Sequence, residues 1–323
     1  MMRFILLAAA FFSAQAHAQR IRIVAYNVEN LFDVYDDPRT QDEDFTPNGK
    51  LQWTPERLQE KYRRLAEVWD SLSPDIAGLT EIENRNVLEG FAKYYKKRKY
   101  SAVKRKYSVV LFEGNDERGI DPALIFDAKK FRFLSARSLK VNLSGMPDSS
   151  TRDILVAALE TPKPFKDTLH LAVNHWPSRR NPPIARFRAG ETLRKWVDSL
   201  TTVRPGAKII LMGDFNDEPI DSSIVYGLGE TGRVNLWKPI HARGEGSYYH
   251  NKKWTAIDQI IVSQALYSAP NRWTYDKAEI YKRDFLLEKN PKFYPAPFRT
   301  YAGDKYLGGY SDHLPIYMDL KAK

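Results

Sequence analysis

The chain has 323 residues, 43% hydrophobic and 13% aromatic, enough to close a large core without help. It contains no cysteine, which excludes disulfides, thiolate metal centres, thiol nucleophiles and a lipidated cysteine anchor. Lys and Arg number 50 against 40 Asp and Glu, and the resulting formal charge of +10 favours polyanionic partners through long-range attraction.

At the start, Arg3 precedes an apolar run from Phe4 to Phe12 and a small-residue stretch ending in Ala16-His17-Ala18. This is the pattern of a cleaved signal peptide, so residues 1–18 are expected to be removed and residues 19–323 to form one exported domain, secreted or periplasmic. The run is far shorter than the roughly 20 residues a membrane-crossing helix needs, and no later stretch is longer, so no stable membrane anchor is expected. No linker, repeat or low-complexity tract divides the chain, and a monomer is the expected state.

Arg20 to Val28 alternates apolar and polar residues and then turns apolar on both faces, as a strand entering a core does, and Asn27 sits at its end. An acidic loop over residues 36–44 reads as solvated turn, with calcium binding as the alternative. Thr54-Pro55 then caps an amphipathic helix with apolar residues at 58, 62, 65, 69 and 72. Pro74 to Glu81 is a short apolar strand closed by a carboxylate, and a helix is predicted to start near Asn84. Further strands are predicted at 107–113, 122–126, 131–140, 152–159, 168–174, 207–212, 256–263 and 313–320, with a helix inside 184–200. Helices recurring among strands that are close enough for antiparallel pairing predict a layered α/β sandwich. The segment from Tyr267 to Gly309 has no clear period and reads as loops beside the site, where substrate choice is normally set.

Several predicted strands end in polar residues. After the strand AKIILM, Gly213 permits a tight turn from which Asp214 and Asn216 project. Asp258 interrupts an apolar strand, and an unpaired buried charge costs several kcal/mol, so it requires a cationic or protonated partner. His313, in Ser311-Asp312-His313, is the best-placed candidate, because a carboxylate bonded to imidazole fixes its tautomer and raises its basicity. His175 follows Asn174 at another strand end. A hard cation such as Mg²⁺ prefers oxygen ligands, which Glu81, Asp312 and Asn27 could supply.

Taken in order, N at the first strand, E at the second, then N-H, G-D-F-N, I-D and S-D-H resemble the endonuclease/exonuclease/phosphatase superfamily over residues 20–323. The resemblance implies a four-layer α/β/β/α sandwich of two mixed β-sheets with helices on the outside, and a single site where the strand tips converge. It implies a Mg²⁺- or Mn²⁺-dependent phosphoesterase, Ca²⁺ being a third option for the ion. By matching motif, Glu81 binds the metal with Asn27 and Asp312 assisting, and Asp214 and Asn216 position water and phosphate. His313, held by Asp258, meets the scissile phosphate. His175 touches the phosphate or protonates the leaving oxygen, and Asn174 and Arg152 are substrate contacts. Whether Asp214 or an imidazole is the base stays open.

The substrate class rests on composition. Phe91 to Tyr107 mixes Lys and Arg with aromatic residues, suited to a phosphate backbone and stacked bases, or alternatively to a solvated surface. An exported nuclease acting on DNA or RNA is the first expectation. A phosphatase or phosphodiesterase for phospholipid headgroups, inositol phosphates or sugar phosphates is the second, and a binding protein that lost activity is disfavoured because every motif position is filled. Gly227-Leu228-Gly229-Glu230-Thr231-Gly232 matches a dinucleotide-binding spacing but lacks the strand before and helix after it, and so reads as a loop.

Overall fold

The structure, a computed structural model, describes residues 19–98, 105–146, 151–270 and 272–323. The expected leader at 1–18 and residues 99–104 of the basic aromatic stretch lie outside them.

In the first strand, β1 (Arg20–Leu31), alternation decides the layering. Ile21, Ile23 and Ala25 point into one core, while Val24, Tyr26 and Val28 point into another. The second core is closed by α1 (Pro55–Leu72) and, after β2 (Ile76–Ile82), by α2 (Arg85–Lys97). Both helices start where capping predicts: Thr54 accepts a hydrogen bond from the Arg57 amide at 3.4 Å, and Asn84 accepts one from the Val87 amide at 2.9 Å. There follow β3 (Tyr107–Leu111), β4 (Asp121–Asp127), β5 (Arg132–Leu139), β6 (Ile154–Glu160), β7 (Thr168–His175), α3 (Pro183–Val203) and β8 (Lys208–Asp214). The remainder contains β9 (Arg233–Asn235), α4 (Lys238–Ala242), the hairpin of β10 (Tyr248–His250) and β11 (Lys253–Thr255), and β12 (Asp258–Ser263). The last elements are α5 (Gln264–Tyr267), β13 (Trp273–Ile280), the short pair β14 (Tyr301–Ala302) and β15 (Lys305–Tyr306), and β16 (Ile316–Ala322).

Two six-stranded sheets face each other, ordered β13-β16-β1-β2-β4-β3 and β5-β6-β7-β8-β12-β9. Each is mixed: β1 with β2 and β7 with β8 are parallel, and the other neighbours are antiparallel. The core between the sheets includes Ile23, Leu124, Leu171, Val173, Met212, Ile260 and Met318, and α3 covers the far side of the second sheet over Ala172, Ile209 and Leu211. The expected four-layer sandwich is therefore the observed one. The sheets come close at Gly78 of β2, where an added Cβ would lie 2.8 Å from the Met212 Cε and 3.0 Å from a Val173 methyl.

Three local expectations are corrected. Within the 267–309 segment, β13 is an edge strand paired to β16, its charged outward residues masking the alternation. The acidic loop is only partly solvated, because Asp42 is buried and accepts the Asp37 amide at 3.2 and 3.3 Å. The strand predicted at 313–320 begins at Ile316, so Asp312 and His313 sit on the loop before it. Gly227 lies within a short π-helix (Ser223–Leu228) that Gly229 and Gly232 follow, so no phosphate-cradling strand-turn-helix exists there. Among the described residues no helix is long and apolar enough to cross a membrane.

Candidate active site

Parallel pairing makes β1 and β2 end together, and likewise β7 and β8, and polar residues at or near these ends, Asn27, Glu81, His175 and Asp214, line one cleft of about 690 Å³. Asn216, Asp312 and His313 line it as well. Antiparallel pairing brings in the rest: the start of β12 sets Asp258 opposite Asp214, and the start of β16 sets the Ser311–His313 loop beside the end of β1. The Ser311 hydroxyl donates to the Asn27 carbonyl at 2.7 Å and accepts from the His313 amide at 3.1 Å, locking that loop to β1.

Gly213 is required at its turn. Its φ is +125°, and a Cβ there would lie 2.2 Å from the Asn174 carbonyl oxygen. Asn216, at φ 52°, donates its amide to Asp214 Oδ1 at 2.8 Å and its side-chain Nδ2 to the Trp176 carbonyl at 3.0 Å, which pins Asp214 in the cleft.

Around Asp214 the two histidines are shifted in opposite directions. Asp258 Oδ2 lies 2.6 Å from His313 Nδ1 and accepts the Ser247 hydroxyl at 2.5 Å. Although burial alone would lower the His313 pKa, the charges of Asp258, Asp312 and Asp214 and the Asp258 hydrogen bond raise it well above the ordinary value, which favours the cationic imidazole. His175 goes the other way: burial, then Arg152, Arg118 and His313, lower it well below the ordinary value. His175 Nε2 is 3.8 Å from Asp214 Oδ2, and His313 Nε2 is 3.9 Å from the same oxygen. Burial, then the charge of Asp258, push the Asp214 carboxyl up to about 7, against the opposing pull of His313.

On the first sheet's side, Asn27 Nδ2 bridges Glu81 Oε1 at 3.1 Å and Asp214 Oδ2 at 3.2 Å, and the Asn30 amide donates to Glu81 Oε2 at 2.9 Å. Burial alone would raise the Glu81 pKa, but Arg118, the Asn27 hydrogen bond, His313 and Arg152 outweigh it and lower the value. Asp312 is paired with Arg299 at 3.0 Å, and Arg299 reaches Glu29 at 3.4 Å. Glu29 is buried and also accepts the Thr300 and Tyr301 amides at 2.6 and 3.2 Å.

Oxygen donors on Asn27, Glu81 and Asp312 suit a hard divalent cation. Asn27 turns Nδ2 rather than Oδ1 toward Glu81 and Asp214, while Oδ1 accepts the Glu29 amide at 3.0 Å, so an ion held beside Glu81 would need the amide to turn. A second donor set, Asp214, Asp258 and His313, has ligand atoms within 4.8 Å of one another and could also hold an ion. In that set, Nδ1 is already bonded to Asp258.

Arg152 is 6% exposed, lines the cleft and pairs with Asp116 at 2.9 Å, and Arg118 approaches the same carboxylate at 4.0 Å. Asn174 is not brought into the cleft. Strand alternation turns it to the helix side, where Nδ2 donates to the Ala172 and Met212 carbonyls at 3.1 and 3.2 Å and Oδ1 accepts the Trp176 indole at 3.1 Å. The structure adds residues that sequence reasoning passed over: Arg118, Tyr248, His250, Lys253 and Arg299 all line the cleft. Only the Tyr248-Tyr249-His250 run before an Asn-Lys turn hinted at a hairpin.

Two facing mixed sheets thus gather carboxylates, imidazoles and carboxamides in one cleft at their parallel tips. The chain belongs to the Endonuclease/Exonuclease/phosphatase family, whose model matches residues 22–322. Enzymes of that family are divalent-metal-dependent phosphoesterases. No curated protein matches the chain in sequence. Among solved structures it is similar to D. rerio TDP2 complexed with single strand DNA product (18% identity, TM-score 0.58, covering 94% of this chain and 99% of that one). It is also similar to the human Nocturnin catalytic domain with bound sulfate (17%, TM-score 0.58, 94% and 95%). A third is a mannosyl-6-phosphatase of Bacteroides thetaiotaomicron (14%, TM-score 0.60, 93% and 99%). At these identities the likeness is one of fold.

Proposed function

We propose that the protein is an exported, Mg²⁺- or Mn²⁺-dependent phosphodiesterase that cleaves nucleic acid. The observation that carries the reading is the placement of one buried carboxylate, Asp214, between a cationic and a neutral imidazole at 3.9 and 3.8 Å, beside a separate oxygen-donor group. Such a set serves in-line attack of water on phosphorus without a covalent enzyme intermediate.

Asn27, Glu81 and Asp312 would hold the ion, which when bound neutralises charge on the phosphoryl oxygens. The remaining work falls to the chain. Asp214, whose pKa of about 7 suits proton transfer at neutral pH, aligns the water and takes its proton. Asn216 fixes the Asp214 rotamer. His313, charged and oriented by Asp258, donates from Nε2 to the developing phosphoryl charge. Arg152 presents a buried guanidinium to a non-bridging oxygen, and neutral His175 stands at the opposite flank; the bond from phosphorus to the leaving oxygen breaks as the bond to water forms, and that oxygen departs as a hydroxyl with a proton from solvent. Arg118, Arg179, Arg180 and Lys253 line the same cleft and favour a polyanion. The likeness to a protein complexed with single strand DNA product supports nucleic acid.

A second reading, a phosphatase of sugar phosphates, is favoured by the gathering of Arg118, Arg152 and Arg299 in one cleft with the two imidazoles and by the likeness to a mannosyl-6-phosphatase. A metal-supplemented screen of single-stranded DNA, RNA, sugar phosphates, inositol phosphates and phospholipids, with Glu81→Ala as the blank, tests both. Cleavage of strands with salt-sensitive binding supports the first reading, turnover of sugar phosphates alone supports the second, and no turnover of any ester rejects both.

A further inference from the structure

We infer that the β10–β11 hairpin forms a stacking subsite for a nucleobase next to the scissile phosphate, an inference that rests on the phosphodiesterase reading and narrows it to base-bearing substrates. Three flat rings run outward from the chemistry. The Tyr248 ring lies 4.7 Å from the His313 ring with their planes 33° apart, and the His250 ring follows at 6.1 Å and 11°. Tyr248 and His250 are two residues apart on one strand and therefore share a face. Tyr249, between them, packs on Trp254 at 5.0 Å on the opposite face.

The hairpin is held to the catalytic loop as well as to itself. Tyr248 bridges His313, and the Leu314 amide donates to the Ser247 carbonyl at 2.8 Å. The Ser247 hydroxyl is bonded to Asp258, and β10 pairs with β11 from Tyr248↔Thr255 to His250↔Lys253 around a turn whose Asn251 and Lys252 have φ of 48° and 60°. A ring resting on this ladder is therefore fixed relative to the phosphorus position.

Chemistry selects the ring. An aromatic ledge binds any base through its π face and is indifferent to sequence. Lys253, Arg179 and Arg180, all exposed at the same rim, supply the charge that a flanking backbone phosphate requires. None of the large exposed apolar side chains among the described residues lies on the hairpin.

The test measures kcat/KM of the full-length mature chain, with saturating Mn²⁺, on a short single-stranded oligothymidylate and on the same backbone carrying abasic spacers. Glucose 6-phosphate and glycerophosphocholine serve as controls that carry no base. The base-bearing strand is expected to be preferred by about 5- to 100-fold, the span of single-base stacking. In His250→Ala, and independently in Tyr248→Leu, the ratio of the two strands is expected to fall toward one, whatever each variant does to the absolute rate. Equal use of both strands by the wild type overturns the inference, as does a preference that both variants retain. Turnover of the small esters with neither strand cut also overturns it but leaves the phosphoesterase reading standing. Silence on every ester rejects that reading itself.

Discussion

Replacing Asp258 by Asn removes the charge that holds His313 cationic while keeping the shape of the site. The carboxamide introduced by Asp258→Asn could still accept the Ser247 hydroxyl, so folding should survive. The lost interaction is a contact between an anion and imidazole Nδ1 at 2.6 Å in a buried setting. Unit charges about 4 Å apart at an effective dielectric near 20 attract by about 4 kcal/mol. Asp214 Oδ2, 3.9 Å from Nε2, continues to favour the cation, so the net loss is smaller. We expect about 2–4 kcal/mol on the chemical step, roughly 30- to 1000-fold in kcat, with KM little changed. Because the His313 pKa is raised in the native site, its cation persists to higher pH than an ordinary imidazolium and is lost as pH rises through the native value. The alkaline limb of the kcat profile should therefore move to lower pH in Asp258→Asn. Steady-state kinetics across pH on single-stranded DNA with saturating metal, alongside a melting curve, measures this. A kcat within about threefold of wild type with an unmoved limb would refute the assignment of His313 and Asp258 as one unit.

Three other outcomes are expected. Saturating Mn²⁺ at about 100 times its dissociation constant should stabilise the wild type by roughly 2.7 kcal/mol, and Glu81→Gln should abolish most of that gain; equal metal-induced shifts in thermal melting would remove Glu81 from the ion's ligands. Gly213→Ala forces a side chain onto the Asn174 carbonyl at positive φ, so it should cost at least about 4 kcal/mol or yield no folded protein, and a wild-type melting temperature would contradict the turn geometry. Asp121 is buried beside Asp116 and Asp153, and burial first, then their charges, push it from 3.8 up to about 7. Its contribution to stability is full below about 3.8 and declines as pH rises through 7, so Asp121→Asn should flatten the fall in stability between pH 5 and 8 by about 2–3 kcal/mol in urea unfolding; an unchanged slope would show the carboxyl already ionised.

The strand tips were legible because each is an apolar run that ends abruptly in Asn, Glu, His or Asp, a pattern that local propensity does not produce. The Asp258 and His313 pairing could be anticipated from cost alone, since an isolated carboxylate inside Ala256–Val262 would be prohibitive. Asn174 was readable but misassigned: it shares a face with Ala172, and alternation already turned it from the cleft. Arg299 and Tyr248 were not legible, because their positions depend on docking of a long loop and a short hairpin onto residues distant in the chain. β13 was missed for a related reason, being an edge strand whose outward Asp276, Lys277 and Glu279 are of the kind that solvent tolerates in any conformation.

Gly78 has a consequence for how the cleft can change. The side chains proposed to bind the cation belong to one sheet and its adjoining loop, and those proposed to handle protons mostly to the other, so their alignment depends on the spacing of two slabs as well as on the loops at their edges. A missing methyl group in β2 sets that spacing, where the slabs nearly touch Met212 and Val173. Gly78→Ala should thus act as a shim far from the phosphorus atom, spoiling register between the two half-sites at an overpacking cost of only about 1–3 kcal/mol. Exposed side chains on the anchored 248–255 hairpin, such as His250 and Lys253, can change without touching that gap, so substrate preference and half-site register are separable.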